Sequence, residues 1–286
     1  MKVDLHLHTK FTDGSLSIGN LITLAKANDV SVIAITDHDC LAAIDRAKID
    51  AGRVGIEVIP AVELSATDKD NGKEIHILSY FMEAPDRLQG ICHKNTLSRK
   101  RAATYVSLKF RDKLGIHNDL ILGCADEATC VFKPHFMLSL MQAGLTTEIY
   151  GELYEKLFNP DSPDYVVVRQ PKFAPVKNVI QEIHDAGGIA ILAHPALYED
   201  DSLLEKYVDY GIDGIEVWHP TADEDYVNYL KDFANKHKLL MTGGSDFHGM
   251  FNKAPCEIGS YGPTEDAYNA LVAHAAKIKK QSKKSE

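Results

Sequence analysis

Short β-branched runs recur along this chain, most of them followed by a stretch long enough to form a helix. The runs are VDLHL, VSVIAITDH, VIPAVEL, EIHILSYF, GIAILAH, GIEVWH and LLMTGGSD. Each is too short for a buried helix and rich in Val, Ile and Leu, as strands covered on both faces must be. Helical patterning falls between them at Leu21–Asn28, Leu41–Ala51, Val176–Ala186, Leu203–Tyr210 and Tyr226–His237. Strand alternating with helix about seven times predicts an α/β fold of parallel strands, either a barrel or a doubly wound sheet. The alternation stops between Gln89 and Val166, where KNTLSRKRAATYVSLKFRDKL and HFMLSLMQAG read as helices. Residues 1–88 and 166–286 are therefore expected to form the α/β body, with 89–165 a helical insertion that caps it.

Composition narrows the class. With 45% hydrophobic and 25% charged residues, the chain suits a soluble globular protein. No apolar stretch approaches the roughly 20 residues that cross a bilayer, and the N-terminus enters a strand with no signal peptide. Five cysteines without a C-x-x-C pair suit a reducing compartment, so a cytoplasmic location is expected. Cys40, Cys92, Cys124, Cys130 and Cys256 read as small apolar residues. The net charge of −10 disfavours long duplex nucleic acid but leaves a small phosphorylated substrate open. Only the terminal KIKKQSKKSE is basic, and it reads as a solvated tail.

Polar residues gather at the strand ends. Asp4, His6 and His8 share one face of the first strand, and Asp13 follows on a turn. The second strand ends at His38, the third at Glu63, and the fourth carries His76. The fifth ends at His194, the sixth at Glu216 and His219, and the seventh at Asp246 and His248. In parallel α/β folds those ends form one rim, where sites are built. Imidazoles and carboxylates without thiolates suit Mn, Zn or Fe. His6, His8, Asp13, His38, Glu63, His76, His194, Asp246 and His248 are more ligands than one ion can use, so two or three ions are expected. A multinuclear site of that kind points to hydrolysis, one ion activating water while others hold a phosphoryl oxygen.

Six segments, DLHLHTKFTDG, ITDHD, PAVEL, EIHILSYF, AILAHP and GGSDFH, together resemble the PHP (polymerase and histidinol phosphatase) family of metal-dependent phosphoesterases. They stand in the family's order and span nearly the whole chain. The resemblance implies a distorted seven-stranded (β/α) barrel. It is strongest to the stand-alone branch with a helical insertion: nucleoside 3′,5′-bisphosphate phosphatases, cyclic-phosphate phosphodiesterases and short-RNA 5′-3′ exonucleases. It implies three metal sites: His6, His8, Glu63 and Asp246; Glu63, as bridge, with His76 and His194; and Asp13, His38 and His248. A hydroxide shared by two ions would attack phosphorus. Glu63, His194 and His219 are then the candidate catalytic residues. The leaving oxygen would be protonated by His219, His135 or a metal-bound water. Arg99, Arg101, Lys133, His135 and His219 are the candidate phosphate contacts, with KPHFMLSLMQAG resembling the branch's RPHFA motif. Lys133 replaces that motif's Arg, a point charge for a fork, and Thr12 replaces a common Ser without consequence. Alternatives are a histidinol-phosphate-type phosphatase, an amidohydrolase, against which the lack of a well-placed metal-bridging Lys counts, and a noncatalytic metal or phosphate sensor.

Overall fold

The computed structural model describes residues 1–285. The elements run β1 (Val3–Leu7), α1 (Ile18–Ala27), β2 (Val32–Ile35), α2 (Ala43–Gly52), β3 (Glu57–Ile59), β4 (Ala61–Thr67) and β5 (Glu74–Tyr80). Four helices follow: α3 (Gln89–Leu114), α4 (Asn118–Cys124), α5 (Lys133–Gln142) and α6 (Glu152–Phe158). Then come α7 (Val176–Asp185), β6 (Ile189–Leu192), α8 (Ser202–Asp209), β7 (Gly214–Trp218), α9 (Glu224–His237), β8 (Leu240–Gly243) and α10 (Glu265–Ser285).

The strands form two sheets, ordered β1-β2-β3 and β4-β5-β6-β7-β8. VIPAVEL, read as one strand, is two. Pro60 offers no N–H to a ladder, so β3 ends there beside β2 and β4 begins in the other sheet. The two sheets meet at single bridges, Leu7 with Phe247 and His38 with Glu63. Tyr80 also donates from one sheet to Leu5 O in the other, at 2.7 Å.

The expectation of parallel strands holds for β1-β2-β3 and β6-β7-β8 but fails for β5, which is antiparallel to both β4 and β6. A tight hairpin causes the reversal. Gly72 takes a left-handed φ of 72°, and the Asp68 carboxylate accepts the N–H groups of Asp70 and Asn71. The reversal carries the beginning of β5, with His76, to the rim where the parallel strands end. His76 pairs with Ser65, and its carbonyl accepts the Ala193 N–H.

Helices cover the sheets through apolar stripes. In α7 the buried residues are Val176, Val179, Ile180 and Ile183, a helical i, i+3, i+4, i+7 set. Residues 89–165 contain no strand. Ile91 and Cys92 of α3 still pack in the core beneath β4 and β5. Further along α3, Ala103, Val106 and Phe110 join α4–α6, Val166, Val167 and Phe251 in a separate apolar cluster.

Through Ser285 the basic C-terminal segment forms the last turns of α10, and Lys277, Lys279 and Lys280 are solvated there as expected. Tyr268 and Leu271 of that helix are buried in one apolar cluster with Val3 and Leu5 of β1 and Ile189 and Ile191 of β6, and Ala275, Ile278 and Leu240 of β8 pack against it. That spacing presents one face to the sheets. Glu286 lies outside the described residues, and no helix among those described is long and apolar enough to cross a membrane.

Candidate metal centre and its cavity

Close backbone approach makes the rim possible. A Cβ on Gly244, just after β8, would stand 2.3 Å from His6 Cβ, and one on Gly14 would stand 2.4 Å from His8 O. Only glycine lets β8 and the Asp13 loop come this near to β1. His194 and Asp246 hold left-handed φ values of 32° and 48°, which cost energy in residues with a Cβ. Hydrogen bonds hold those bends: Glu216 Oε2 accepts the His194 N–H at 2.8 Å, and Asn252 Nδ2 donates to Asp246 O.

The rim brings together the nine side chains His6, His8, Asp13, His38, Glu63, His76, His194, Asp246 and His248. Glu63 is at their centre. Its Oε1 lies 2.9 Å from His76 Nδ1 and 3.0 Å from His194 Nε2. Its Oε2 faces His6 Nε2 and His8 Nε2, both at 3.3 Å, and His38 Nδ1 at 3.1 Å. Asp246 Oδ1 lies 3.3 Å from His6 Nε2 and 3.1 Å from His8 Nε2. Asp13 meets His38 Nε2 at 3.6 Å and His248 Nε2 at 3.4 Å.

These spacings fit metal ligation, because donors about 2.0–2.2 Å from a shared ion sit roughly 3 Å apart. The hydrogen-bond inventory points the same way. Both ring nitrogens of His8, Nδ1 of His38 and His194, and Oδ1 of Asp13 are buried without a hydrogen bond. An unsatisfied buried donor or acceptor costs about 1–3 kcal/mol, so a cluster of them is a set of ligands in want of an ion.

Electrostatics agree. Burial opposes ionisation of Glu63, yet the imidazoles of His38, His76 and His6 hold it well below the usual carboxylate range. Burial likewise disfavours charge on His8, but Asp246 and Glu63 lift it to about 10; His76, beside Glu63 and Glu74, also rises to about 10. Burial, with the nearby His8 and His76 adding, pushes His38 down to about 3 despite Glu63 and Asp13. Protons on His8 and His76 thus supply positive charge that divalent cations would otherwise bring.

Residues behind the ligands set their orientation. His6 Nδ1 donates to Glu216 Oε1 at 2.9 Å, which turns Nε2 toward Glu63 and Asp246. Glu216 thereby positions His6, and with His6 and His219 it also forms a buried group whose atoms lie close enough together to hold an ion. Thr12 donates to Asp37 at 2.6 Å, and Thr9 does so through both hydroxyl and N–H, which fixes the loop carrying Asp13. Serine at 12 would keep that bond. Sequence reading left Glu216 without a role and missed Asp37. The signal for Glu216 was its strand-end position in GIEVWH.

A cavity of about 860 Å³ opens above the rim, and Arg99, Lys133 and His219 line it. The Arg99 guanidinium donates to Glu74 at 2.8 Å and to Ser65, and stacks between Phe132 and Phe173. His219 Nδ1 accepts the Thr221 N–H, which places the proton of a neutral ring on Nε2, 3.4 Å from Asp246 Oδ2. Two expected phosphate contacts are elsewhere. His135 is buried and outside the lining, its Nδ1 accepting the Phe132 N–H at the start of α5 at 3.1 Å. Arg101 is exposed and also outside the lining. The cavity face of α3 is Arg99, Ala102, Ala103 and Val106, and Arg101 is two residues, about 200°, around the helix from Arg99.

Residues 4–212 match the PHP domain family, and the chain belongs to it. Its class is that of a metal-dependent phosphoesterase. The phosphoribosyl 1,2-cyclic phosphate 1,2-diphosphodiesterase of Eggerthella lenta is 31% identical over 258 residues, covering 88% of this chain and 96% of that one. A 5′-3′ exoribonuclease of Haemophilus influenzae is 32% identical over 279 residues, covering 95% and 97%. A solved structure from Bifidobacterium adolescentis superposes with a TM-score of 0.83 over 95% of each chain at 24% identity, a likeness of fold.

Proposed function

We propose that the protein hydrolyses phosphoesters of small nucleotide-like molecules or short oligonucleotides at a centre of two to three divalent ions. Manganese is the first choice, zinc or iron the alternatives. The observation that most supports this reading is Glu63, whose two oxygens face different sets of imidazoles. His6, His8, Glu63 and Asp246 would hold one ion, Glu63, His76 and His194 a second, and Asp13, His38 and His248 a third. Ions bound there supply Lewis-acid stabilisation and an acidified water near neutral pH.

The chain's own groups do the rest. Glu216 keeps His6 turned inward, and Arg99 steadies Glu74, which in turn accepts from His76 Nε2 at 3.1 Å. His219 presents its Nε2 proton to the leaving oxygen. Lys133 holds a substrate phosphate. The two sheets are read as a distorted barrel of seven staves, β3 and β4 forming one stave broken at Pro60, with residues 89–165 as its cap. The acidic surface favours short substrates, and five unpaired cysteines suit the cytoplasm.

The test joins elemental analysis to a substrate panel of mononucleotides, nucleoside bisphosphates, short RNA, long duplex DNA and a simple amide. Two to three equivalents of metal and preference for the small phosphoesters are expected. One ion that saturates activity would remove the multinuclear centre, and equal kcat/KM on duplex DNA would remove the size argument.

A further inference from the structure

His76 and His194, the two imidazoles that face Glu63 Oε1, lie where the pairing of β5 with β6 runs out. The last pair in register is Ile77 with Leu192, and the Ala193 N–H still donates to His76 O at 3.1 Å. One residue further, the left-handed bend at His194 takes the chain out of the ladder. The His76 N–H finds its acceptor in a side chain instead, the Tyr198 hydroxyl, at 2.9 Å.

Tyr198 is well held in that place. It closes a short 3-10 turn, Pro195–Tyr198, which starts at the residue after His194. The side chain is buried in the same apolar cluster as Ile77, Leu192 and Tyr207. Its ring stands 5.6 Å from that of His194, centre to centre. Lys73 Nζ, from the hairpin that leads into β5, donates to Tyr198 O at 2.8 Å. The turn is thus tied to the beginning of β5 at two points, and the ring that makes one of them also flanks His194. The ligating nitrogens of the two imidazoles, Nδ1 of His76 and Nε2 of His194, lie 3.3 Å apart. Any slip of β5 against the His194 turn would change that spacing directly. Groups that hold ligands in place before the ion arrives reduce the ordering cost of binding it.

We infer that Tyr198 is a positioning residue for the second ion: its hydroxyl fixes His76 against His194, so that both imidazoles meet Glu63 Oε1 at ligating distance. The inference rests on the assignment of Glu63, His76 and His194 to one ion in the reading above. The hydroxyl is not itself a ligand, because its oxygen faces a backbone N–H. A phenyl ring would keep the packing beside His194 and lose only the bond to His76, so Tyr198→Phe separates the two contributions.

The experiment titrates the chelated, full-length protein with manganese, read by calorimetry and by metal content after gel filtration. It compares wild type, Tyr198→Phe, His76→Ala and the double variant, with thermal melting as the measure of folding. The wild type should take up two to three equivalents. Tyr198→Phe should bind one equivalent roughly tenfold more weakly and the others as before. On a His76→Ala background, Tyr198→Phe should weaken nothing further, because the hydroxyl acts through that imidazole. Wild-type affinity for every equivalent in Tyr198→Phe overturns the inference, whatever the melting temperature does, since the bond would then serve the fold alone. Uniform weakening of all equivalents contradicts it too, as does any further weakening of the remaining equivalents in the double variant. A wild type that holds a single ion removes the multinuclear centre itself, a result distinct from the selective loss of one equivalent. Should Tyr198→Phe not fold, Lys73→Ala decides, because it frees the Tyr198 carbonyl from an exposed residue. One equivalent weakened severalfold then supports the inference, and an isotherm like that of the wild type ends it.

Discussion

At the rim, His6, His8 and Glu63 are closed to solvent, and each meets an opposite or ligating group at 3.3 Å or less. The insertion instead offers the cavity Val106, Phe132, Phe136, Tyr154 and Phe158, with Lys133 a cation that forms no ion pair within 4.0 Å among the described residues. One region is a buried network of mutually dependent charges, in which removing a member strands the others. The other is a packed apolar wall with a few point contacts, where a single change is felt mainly by the substrate. On the proposed function, chemistry and selectivity would belong to different parts of the molecule and should fail in different ways.

The largest expected effect is at the centre of the rim. Glu63→Gln removes the charge that five imidazoles face, and should lose bound metal and lower kcat more than about a hundredfold. Near wild-type turnover with full metal content would show that Glu63 bridges nothing. Gly244→Ala tests the rim through its backbone. The added methyl must displace His6, which should cost about 1–3 kcal/mol and reduce metal content, read by thermal melting and elemental analysis. Unaltered melting would mean that β1 and β8 have slack between them.

Acidity sharpens the contrast further. After chelation, His8 and His76 are protonated up to about 10, against 6.5 for a free imidazole. A raised histidine contributes stability that is complete below its unfolded value and lost as pH climbs through the folded one. The chelated protein should therefore lose melting temperature from those residues between about pH 6.5 and 10. Metal binding displaces the same protons, so metal affinity should rise over that window. Melts of chelated and metal-loaded protein should diverge with pH, and parallel curves would take these imidazoles out of the metal site.

Smaller effects belong to the insertion. Lys133→Ala should raise KM for a nucleoside bisphosphate roughly tenfold with metal content intact. Loss of metal along with KM would mean that the insertion supports the rim structurally. Arg101→Ala, on the exposed face of α3, should change KM less than about twofold, within the range of a solvated surface charge. A larger change would bring α3 closer to the substrate than its cavity face allows.

The amino-acid sequence by itself determined the alternation of strand and helix and placed the ligand types at strand ends, because both are local patterns of period and residue chemistry. From these alone the nine rim residues could be named. The reversal of β5 is a result of the tertiary structure, since only its pairing with β4 and β6 brings His76 to the rim. Direction was decided by the tertiary structure. His135 and Lys133 are two residues apart in one motif, but the helix start turns one back onto the Phe132 N–H and leaves the other facing the cavity. Arg99 and Arg101 part in the same way around α3. Tyr268 and Leu271 of α10 likewise find a sheet to pack on only in the folded chain. Chain spacing fixes which residues share an element, whereas the side a residue faces, and the distant residue it meets there, depend on how the elements pack.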